Sequence, residues 1–400
     1  MDYKVISADD HIDLRWMPRD LWSARLPPHL RERGPQVEDT DNGASWFCDG
    51  NLWGAWGFYT GAQGSGVKWA LEIGGEMREG ELRPTTPELR LADMDRDGVD
   101  ASVMYGPTDP FVIEDPELRR AVYQVYNDWL IDFDSACPER LLGVAQLPMD
   151  DAEAARDEMA RLAKKGMRLF NVLAARADPP VYDASWESFW ALAQELDVPI
   201  AFHLAVDVRR GGGTGVGGGP QTPAQGAPLT SAPRNDPPPA NPVVAGATRT
   251  TVAMQGFQLV EPIAGLIFNG VLDRYPRAKI VMAEAGLAWV PHMIQSFDYY
   301  HRRLREGRVS VPGGGTTYMP ELKPSEYFPR QIWVTFQDDP YGMKMLGLLD
   351  EDRVMWASDY PHPASTWPFS RQVIENQMSH LSPDVKQKIL CENARKLYDL

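Results

Sequence analysis

The stretch Lys4-Val-Ile-Ser-Ala-Asp-Asp-His-Ile-Asp13 decides how the fold is read. It starts as a short apolar run, too short for a helix and β-branched enough for a buried strand. It then breaks off in Asp9, Asp10, His11 and Asp13. Carboxylates crowded at one strand tip repel one another unless a positive charge sits among them. Asp9 and His11 are two positions apart, so on an extended chain both point to one face, as a bidentate grip on a metal ion requires. A solvated Asp-rich turn capped by His11 fits this stretch equally well, and the rest of the chain has to decide.

Downstream, residues 14–90 form a long excursion with prolines at 18, 27, 28, 35, 84 and 87. A structureless loop of that length is improbable in a compact domain, so a cap-like insertion of short strands and turns is expected. It leads into a helix over Glu88–Gly98, with Gly98 as its C-cap. A regular alternation follows. Strands are expected at Ala101–Tyr105, Leu141–Leu147, Met167–Leu173, Pro199–Leu204, Lys279–Glu284, Gln331–Phe336 and Arg353–Asp359. Helices are expected at Asp115–Ala136, Asp151–Lys165, Trp186–Leu196, Thr250–Tyr275, Trp289–Arg305, Tyr341–Leu349, Arg371–Ser379 and Pro383–Tyr398. With the first strand this makes eight βα units in series. That number closes most naturally into a (β/α)8 TIM barrel, a single domain over residues 1–400, with its chemistry at the C-terminal ends of the strands.

One tract interrupts the alternation after the fifth strand, within residues 205–249. Seven of the nine residues from Gly211 to Gly219 are glycine, and Pro237, Pro238 and Pro239 are consecutive. No βαβ spacing or helix start follows the glycines, which excludes a dinucleotide fingerprint. The tract reads as a surface loop or as a lid over a site.

Composition narrows the partners. A net charge of −16 over 400 residues argues against nucleic acid and anionic membranes, both of which demand basic patches. There is no basic-then-apolar leader and no membrane-length apolar run, so a cytoplasmic protein is expected. Cys48, Cys137 and Cys391 are an odd number without metal-type spacing, which speaks against a disulfide framework.

The strand ends carry the chemistry. Asp9 and His11 end strand one, His203 ends strand five, Glu284 ends strand six, and Asp359 with His362 follows strand eight. Three of only seven histidines fall at these tips. Each residue alone has an ordinary reading: His203 as a hydrogen-bonded core histidine, Asp359 as a turn residue, Glu284 as a helix cap. Together at one face of a closed barrel they read as a metal site. His29, His292, His301 and His380 sit in Pro-rich or helical contexts and read as structural or exposed. Arg209 and Arg210 could meet a substrate anion, although a solvated role suits two arginines on a Gly-rich loop. A Ser-His-Asp or Cys-His arrangement cannot be assembled, because the well-placed histidines are already used.

The order Asp-x-His after strand one, His after strand five, Glu-Ala-Gly at strand six and Ser-Asp-Tyr-Pro-His after strand eight resembles the amidohydrolase-related ("amidohydrolase 2") branch of metal-dependent TIM barrels. The ending Ile389-Leu-Cys-Glu-Asn-Ala-Arg-Lys-Leu-Tyr398 matches as well. Three features depart from the hydrolytic pattern. Asp9 stands where His-x-His is usual, Glu284 stands where His is frequent, and Asn171-Val-Leu173 offers no lysine to be carbamylated.

The set Asp9, His11, His203, Glu284, Asp359 and His362 holds three carboxylates and three imidazoles. That suits iron or manganese as well as zinc, and six ligands exceed what one open catalytic metal takes. The combination is similar to a branch of non-haem diiron monooxygenases that includes diterpenoid hydroxylases of antibiotic biosynthesis. This resemblance implies two iron ions with dioxygen as co-substrate, an external electron donor, and a bulky apolar terpenoid-like substrate carried in some cases as a coenzyme A thioester. A homo-oligomer is also expected. Trp46, Trp53, Trp56 and Trp69 would suit such a skeleton, as they would suit core packing. The alternative is a mononuclear zinc or manganese hydrolase or non-oxidative decarboxylase, using Asp9, His11, His203 and Asp359 as ligands. Asp359 or Glu284 would then shuttle the proton. A non-catalytic barrel is the third reading, and it gives no reason for all the ligands to share one face.

Overall fold

The computed structural model describes residues 3–40, 43–57, 82–107, 111, 113–205, 253–309, 318–362 and 364–400. Eight parallel strand positions run around a closed wall. Strand β1 (Ile6–His11) is followed by a three-stranded antiparallel sheet of β2 (Gln36–Thr40), β3 (Gly43–Cys48) and β4 (Asn51–Ala55), which stands outside the wall. The wall resumes with β5 (Ala101–Tyr105), β6 (Leu141–Gly143) and β7 (Ala145–Gln146). It continues through β8 (Phe170–Asn171), β9 (Pro199–Phe202), β10 (Lys279–Met282), β11 (Ile332–Phe336) and β12 (Val354–Trp356). Strands β6 and β7 are one barrel position. Val144 between them donates to Met104 O at 2.8 Å on one side, and Ala145 donates to Leu169 O at 2.9 Å on the other. Closure comes just beyond β12, where Asp359 N donates to Asp9 O at 2.9 Å and His11 N donates to Tyr360 O at 2.7 Å. The TIM barrel read from the sequence is the fold of the chain.

Helices cover the wall because their apolar stripes must be buried. The main ones are α1 (Pro87–Asp97), α2 (Pro116–Asp134), α3 (Ala152–Ala163), α4 (Glu187–Leu196), α5 (Val260–Phe268), α6 (Val290–Arg305), α7 (Pro324–Gln331) and α8 (Ser370–Met378). Side-chain caps fix where several begin. Asp115 accepts from Glu117 N and Leu118 N at the start of α2, and Asp151 accepts from Ala154 N at the start of α3. Helix α1 ends at Gly98, whose φ of +79° is the left-handed C-cap conformation. The last helix, α9 (Asn393–Tyr398), plugs the barrel floor. Its Leu397 and Tyr398 join Ile6, Val103, Tyr105, Val281 and Met355 in one buried cluster.

The expected long helix over Thr250–Tyr275 is shorter in its described part, and the closing helix over Pro383–Tyr398 is interrupted by a π-turn at Lys388–Glu392. In the excursion after β1, Trp46 and Trp53 are not substrate-facing but buried. Trp22 meets Trp46 edge-on at 5.0 Å and Trp53 at 6.0 Å between ring centroids. Trp69 and the Gly/Pro tract from Gly211 to Pro242, with Arg209 and Arg210, lie outside the described residues.

Candidate metal centre

Strand β1 aims its ligands by an irregularity. Ile6 pairs with Ala101 and Ser7 with Ser102, but Asp10 pairs with Met104 and His11 with Tyr105, so β1 carries one residue more than β5 between those pairs. Such a bulge re-aims side chains. Ile6 and Ala8 face the barrel interior, and strict alternation from them would have sent Asp10 inward and Asp9 and His11 out. With the bulge, Asp9 and His11 turn inward and Asp10 faces the outer side of the wall.

Inside, four fully buried side chains converge. His11 Nε2 lies 3.6 Å from Asp9 Oδ1 and 3.2 Å from Asp359 Oδ1, and His203 Nε2 lies 3.3 Å from Asp9 Oδ1. Asp9 Oδ1, both nitrogens of His11, His203 Nε2 and Asp359 Oδ2 have no hydrogen-bond partner among the described residues. Buried polar atoms are rarely left so. The tautomer of His203 is fixed from behind, because its Nδ1 sits 2.8 Å from Leu204 O and must donate to it. That leaves Nε2 directed into the cluster, where it offers a lone pair once its proton is displaced. Asp9 is steadied by Thr335 Oγ1, which donates to its Oδ2 at 3.2 Å. Asp9, His11 and His203 offer donor atoms within 4.8 Å of one another and Asp359 Oδ1 lies 3.2 Å from His11 Nε2, a set of two imidazoles and two carboxylates that suits a divalent cation such as manganese or zinc. The residues fit such an ion.

Two of the six sequence candidates stand at the opening instead. The side chains of Glu284 and His362 are 11 % and 17 % exposed, against 0–1 % for the inner four. Glu284 Oε1 accepts from Gln255 Nε2 at 3.0 Å, and its Oε2 is 3.7 Å from His203 Nε2. His362 stacks on His11 with centroids 3.8 Å apart. Both of its nitrogens already meet carboxylates, Nδ1 with Asp359 Oδ1 at 2.9 Å and Nε2 with Asp13 Oδ2 at 2.8 Å. Asp13, which the sequence marks only as part of an acidic tip, is thus the partner of His362.

Charge follows position. Burial, with His362 and His203 nearby, drives His11 well below the usual imidazole range, so it is neutral. Burial also opposes a charge on His203, but Asp9 and Glu284 outweigh it and lift its pKa to about 9. His362 likewise overcomes burial through Asp359 and Asp13 and lies well above the usual value. Burial and the adjacent Asp359 push Glu284 up to about 8, so it holds a proton at neutral pH. Glu284 and Asp359 have φ of +54° and +63°, a region that non-glycine residues seldom occupy and that clusters at functional sites.

Of the remaining histidines, His29 is exposed beside Glu117, and His301 is buried with Nε2 3.2 Å from Pro320 O. His292 and His380 are exposed. Among the described residues no helix is long and apolar enough to cross a membrane.

Comparison with known proteins corrects the chemistry expected from the resemblance. A γ-resorcylate decarboxylase of Rhodococcus jostii is 25 % identical over 290 residues, covering 68 % of this chain and 77 % of that one. An amidohydrolase of Mycobacterium avium subsp. paratuberculosis superposes with a TM-score of 0.68 at 18 % identity, covering 100 % of this chain and 99 % of the other. A 5-carboxyvanillate decarboxylase of Novosphingobium aromaticivorans, solved with bound manganese and a nitrobenzoic acid, gives a TM-score of 0.66 at 18 % identity over 100 % and 98 % of the chains.

The expectation of a diiron monooxygenase is overturned by these decarboxylase relatives, and with it the two iron ions, dioxygen, terpenoid and antibiotic biosynthesis. The coenzyme A thioester and the electron donor have no support there either, since the named substrates are small aromatic acids. The physical reason lies in the ligand count. Six candidates suggest two metals, but His362 has both nitrogens engaged by carboxylates and Glu284 stands at the mouth, which leaves one inner set of four. The amidohydrolase family model matches residues 35–400, and the chain therefore belongs to the amidohydrolase family of metal-dependent TIM barrels.

Proposed function

We propose that this protein is a metal-dependent, non-oxidative decarboxylase of a small aromatic carboxylic acid. The observation that carries the reading is the cluster of buried atoms without hydrogen-bond partners on Asp9, His11 and His203, with Asp359 beside His11, into which one divalent cation would fit. The decarboxylase relatives support the class of reaction. Asp9, His11, His203 and Asp359 would hold a manganese or zinc ion, which would supply positive charge to polarise an anionic substrate. The chain does the rest. Losing carbon dioxide from an aromatic ring breaks one carbon–carbon bond and forms one carbon–hydrogen bond at the same carbon, so a proton must be delivered and no electron is exchanged. Glu284 stands at the opening with Oε2 3.7 Å from His203 Nε2, and burial beside Asp359 raises its pKa, which makes it the group we assign to proton delivery. His362, held by Asp13 and Asp359, lies at the same rim and presents a fixed positive face beside His11.

The test is carbon dioxide release from benzoic acids bearing an ortho hydroxyl group, by the manganese-loaded protein in an oxygen-free chamber. Turnover without dioxygen is expected, with Glu284→Gln lowering kcat while manganese still binds. A strict need for dioxygen, or no carbon dioxide from any member of the panel, would overturn the reading.

A further inference from the structure

On the outer side of the wall, under α1, the bulge in β1 is tied down by a buried carboxylate, that of Asp10. Asp10 Oδ1 accepts from Ser7 Oγ at 2.8 Å, from Ser358 Oγ at 2.8 Å and from Tyr360 N at 3.0 Å. Its Oδ2 accepts from Ser102 Oγ, whose other partner is Arg90 Nη2 at 3.2 Å. Ser7 Oγ in turn accepts from Ser358 N at 2.8 Å. Arg90, fully buried, donates from Nη1 to His11 O at 2.9 Å and to Pro84 O at 3.1 Å, with Nη2 3.8 Å from Asp10 Oδ2.

These contacts have a pattern. Ser7 and Asp10 are the two residues that bracket the extra residue of the bulge. Ser358 and Tyr360 are the two neighbours of Asp359. Arg90 holds the carbonyl of His11 itself. Groups behind a ligand set its orientation and with it the affinity of the site.

We infer that Asp10, with Arg90 as its counter-charge, is a positioning residue for the metal centre. It locks the bulge that turns Asp9 and His11 inward and fastens the strand-eight turn that presents Asp359. In this way one carboxylate fixes three ligands from two strands. The inference rests on the metal reading above, and its test separates the two.

The experiment is manganese titration of metal-free protein, followed by calorimetry and by the electron paramagnetic resonance signal of the bound ion, in wild type, Asp10→Asn and Asp97→Asn. Asp97 is a control of the same kind. It is buried and accepts from Ser370 N at 2.9 Å and Ser370 Oγ at 2.5 Å, but it joins α1 to α8 and touches no ligand-bearing strand end. Asparagine at position 10 keeps an acceptor for Ser7, Ser358 and Tyr360, and turns a donor towards Ser102 and Arg90. Weakening of manganese binding by about 10- to 100-fold is expected, with a broadened resonance. Asp97→Asn should lose thermal stability while keeping its affinity within about twofold of wild type. Equal affinity in Asp10→Asn and wild type, or equal weakening in both variants, would overturn the inference. Absence of manganese binding in wild type would overturn the metal reading with it. If Asp10→Asn does not fold, Ser102→Ala removes one contact of the same network and should still weaken manganese relative to Asp97→Asn.

Discussion

Asp134, at the end of α2, is a carboxyl that the fold keeps protonated. Its Oδ2 accepts from Gly143 N at 2.8 Å, its Oδ1 has no partner among the described residues, and burial pushes its pKa up to about 8. In the unfolded chain an aspartate titrates near 4, at about 3.9. Between those values the folded state binds the extra proton. The contribution of this group to stability is complete below the unfolded pKa and is lost as pH rises through the folded one. Each pH unit in that window is worth at most about 1.4 kcal/mol for a single group. Asp134→Asn keeps an acceptor for Gly143 and removes the titration, so its loss of stability between pH 6 and 9 should be smaller than that of wild type in urea melts. Identical slopes would show that Asp134 is ionised throughout. At this scale the sequence was informative about which side chains at the strand ends the fold brings together. Asp9, His11, His203 and Asp359 stand out because histidines are scarce and strand tips are few. The partners of those residues were hidden, because they come from remote parts of the chain. Arg90 reaches Asp10 from α1, and Asp13 meets His362 across 349 positions. The acidic tip therefore looked like one charge problem solved by one metal. In the structure Asp10 is answered by Arg90, Asp13 by His362, and only Asp9 turns to the inner centre.

The elements were legible in kind, with some bounds displaced. Strand β5 runs over the expected Ala101–Tyr105, whereas β8 is reduced to Phe170–Asn171 and β12 to Val354–Trp356. Apolar runs mark burial, and burial continues past the last ladder hydrogen bond, so the runs outlast the strands. The bulge in β1 was not legible, since it depends on register against β5 rather than on composition. The tryptophans of the excursion show the same limit. From the sequence these tryptophans suited a bulky substrate or core packing alike, and the structure decides for the core: Trp46 is fully buried, and its Nε1 donates to Leu14 O at 2.7 Å. Trp46 is thus part of the joint between the β2–β4 sheet and the chain leaving β1. Trp46→Ala should cost about 3–5 kcal/mol, read as a fall in the urea midpoint with loss of near-ultraviolet circular dichroism. A change below about 0.5 kcal/mol, the range of ordinary surface substitutions, would mean that the sheet is not packed on the barrel through this residue.

Across the whole molecule, the inner donors come from β1, the end of β9 and the turn after β12, so they tie the first strand to the last and to the far side of the ring. Without a cation the cluster holds two carboxylates and a charged His203 in a buried space, an arrangement that costs free energy in the folded state. A cation that binds only when the barrel is closed stabilises it by mass action, by about 2.7 kcal/mol at 100 times its dissociation constant. For a chain of 400 residues, about 1–1.5 °C accompanies each kcal/mol. Manganese added to metal-free protein should therefore raise Tm by roughly 3–4 °C, and chelation should reverse the shift. His203→Ala should melt at the same temperature with and without manganese, because it lacks the one imidazole whose tautomer the backbone has already set. The comparison is most telling at fixed pH near neutrality, where the ion must displace the proton that His203 carries in its absence. Proton release on manganese addition, followed in a weakly buffered solution, should accompany the rise in Tm. A rise without proton release would place the ion away from His203.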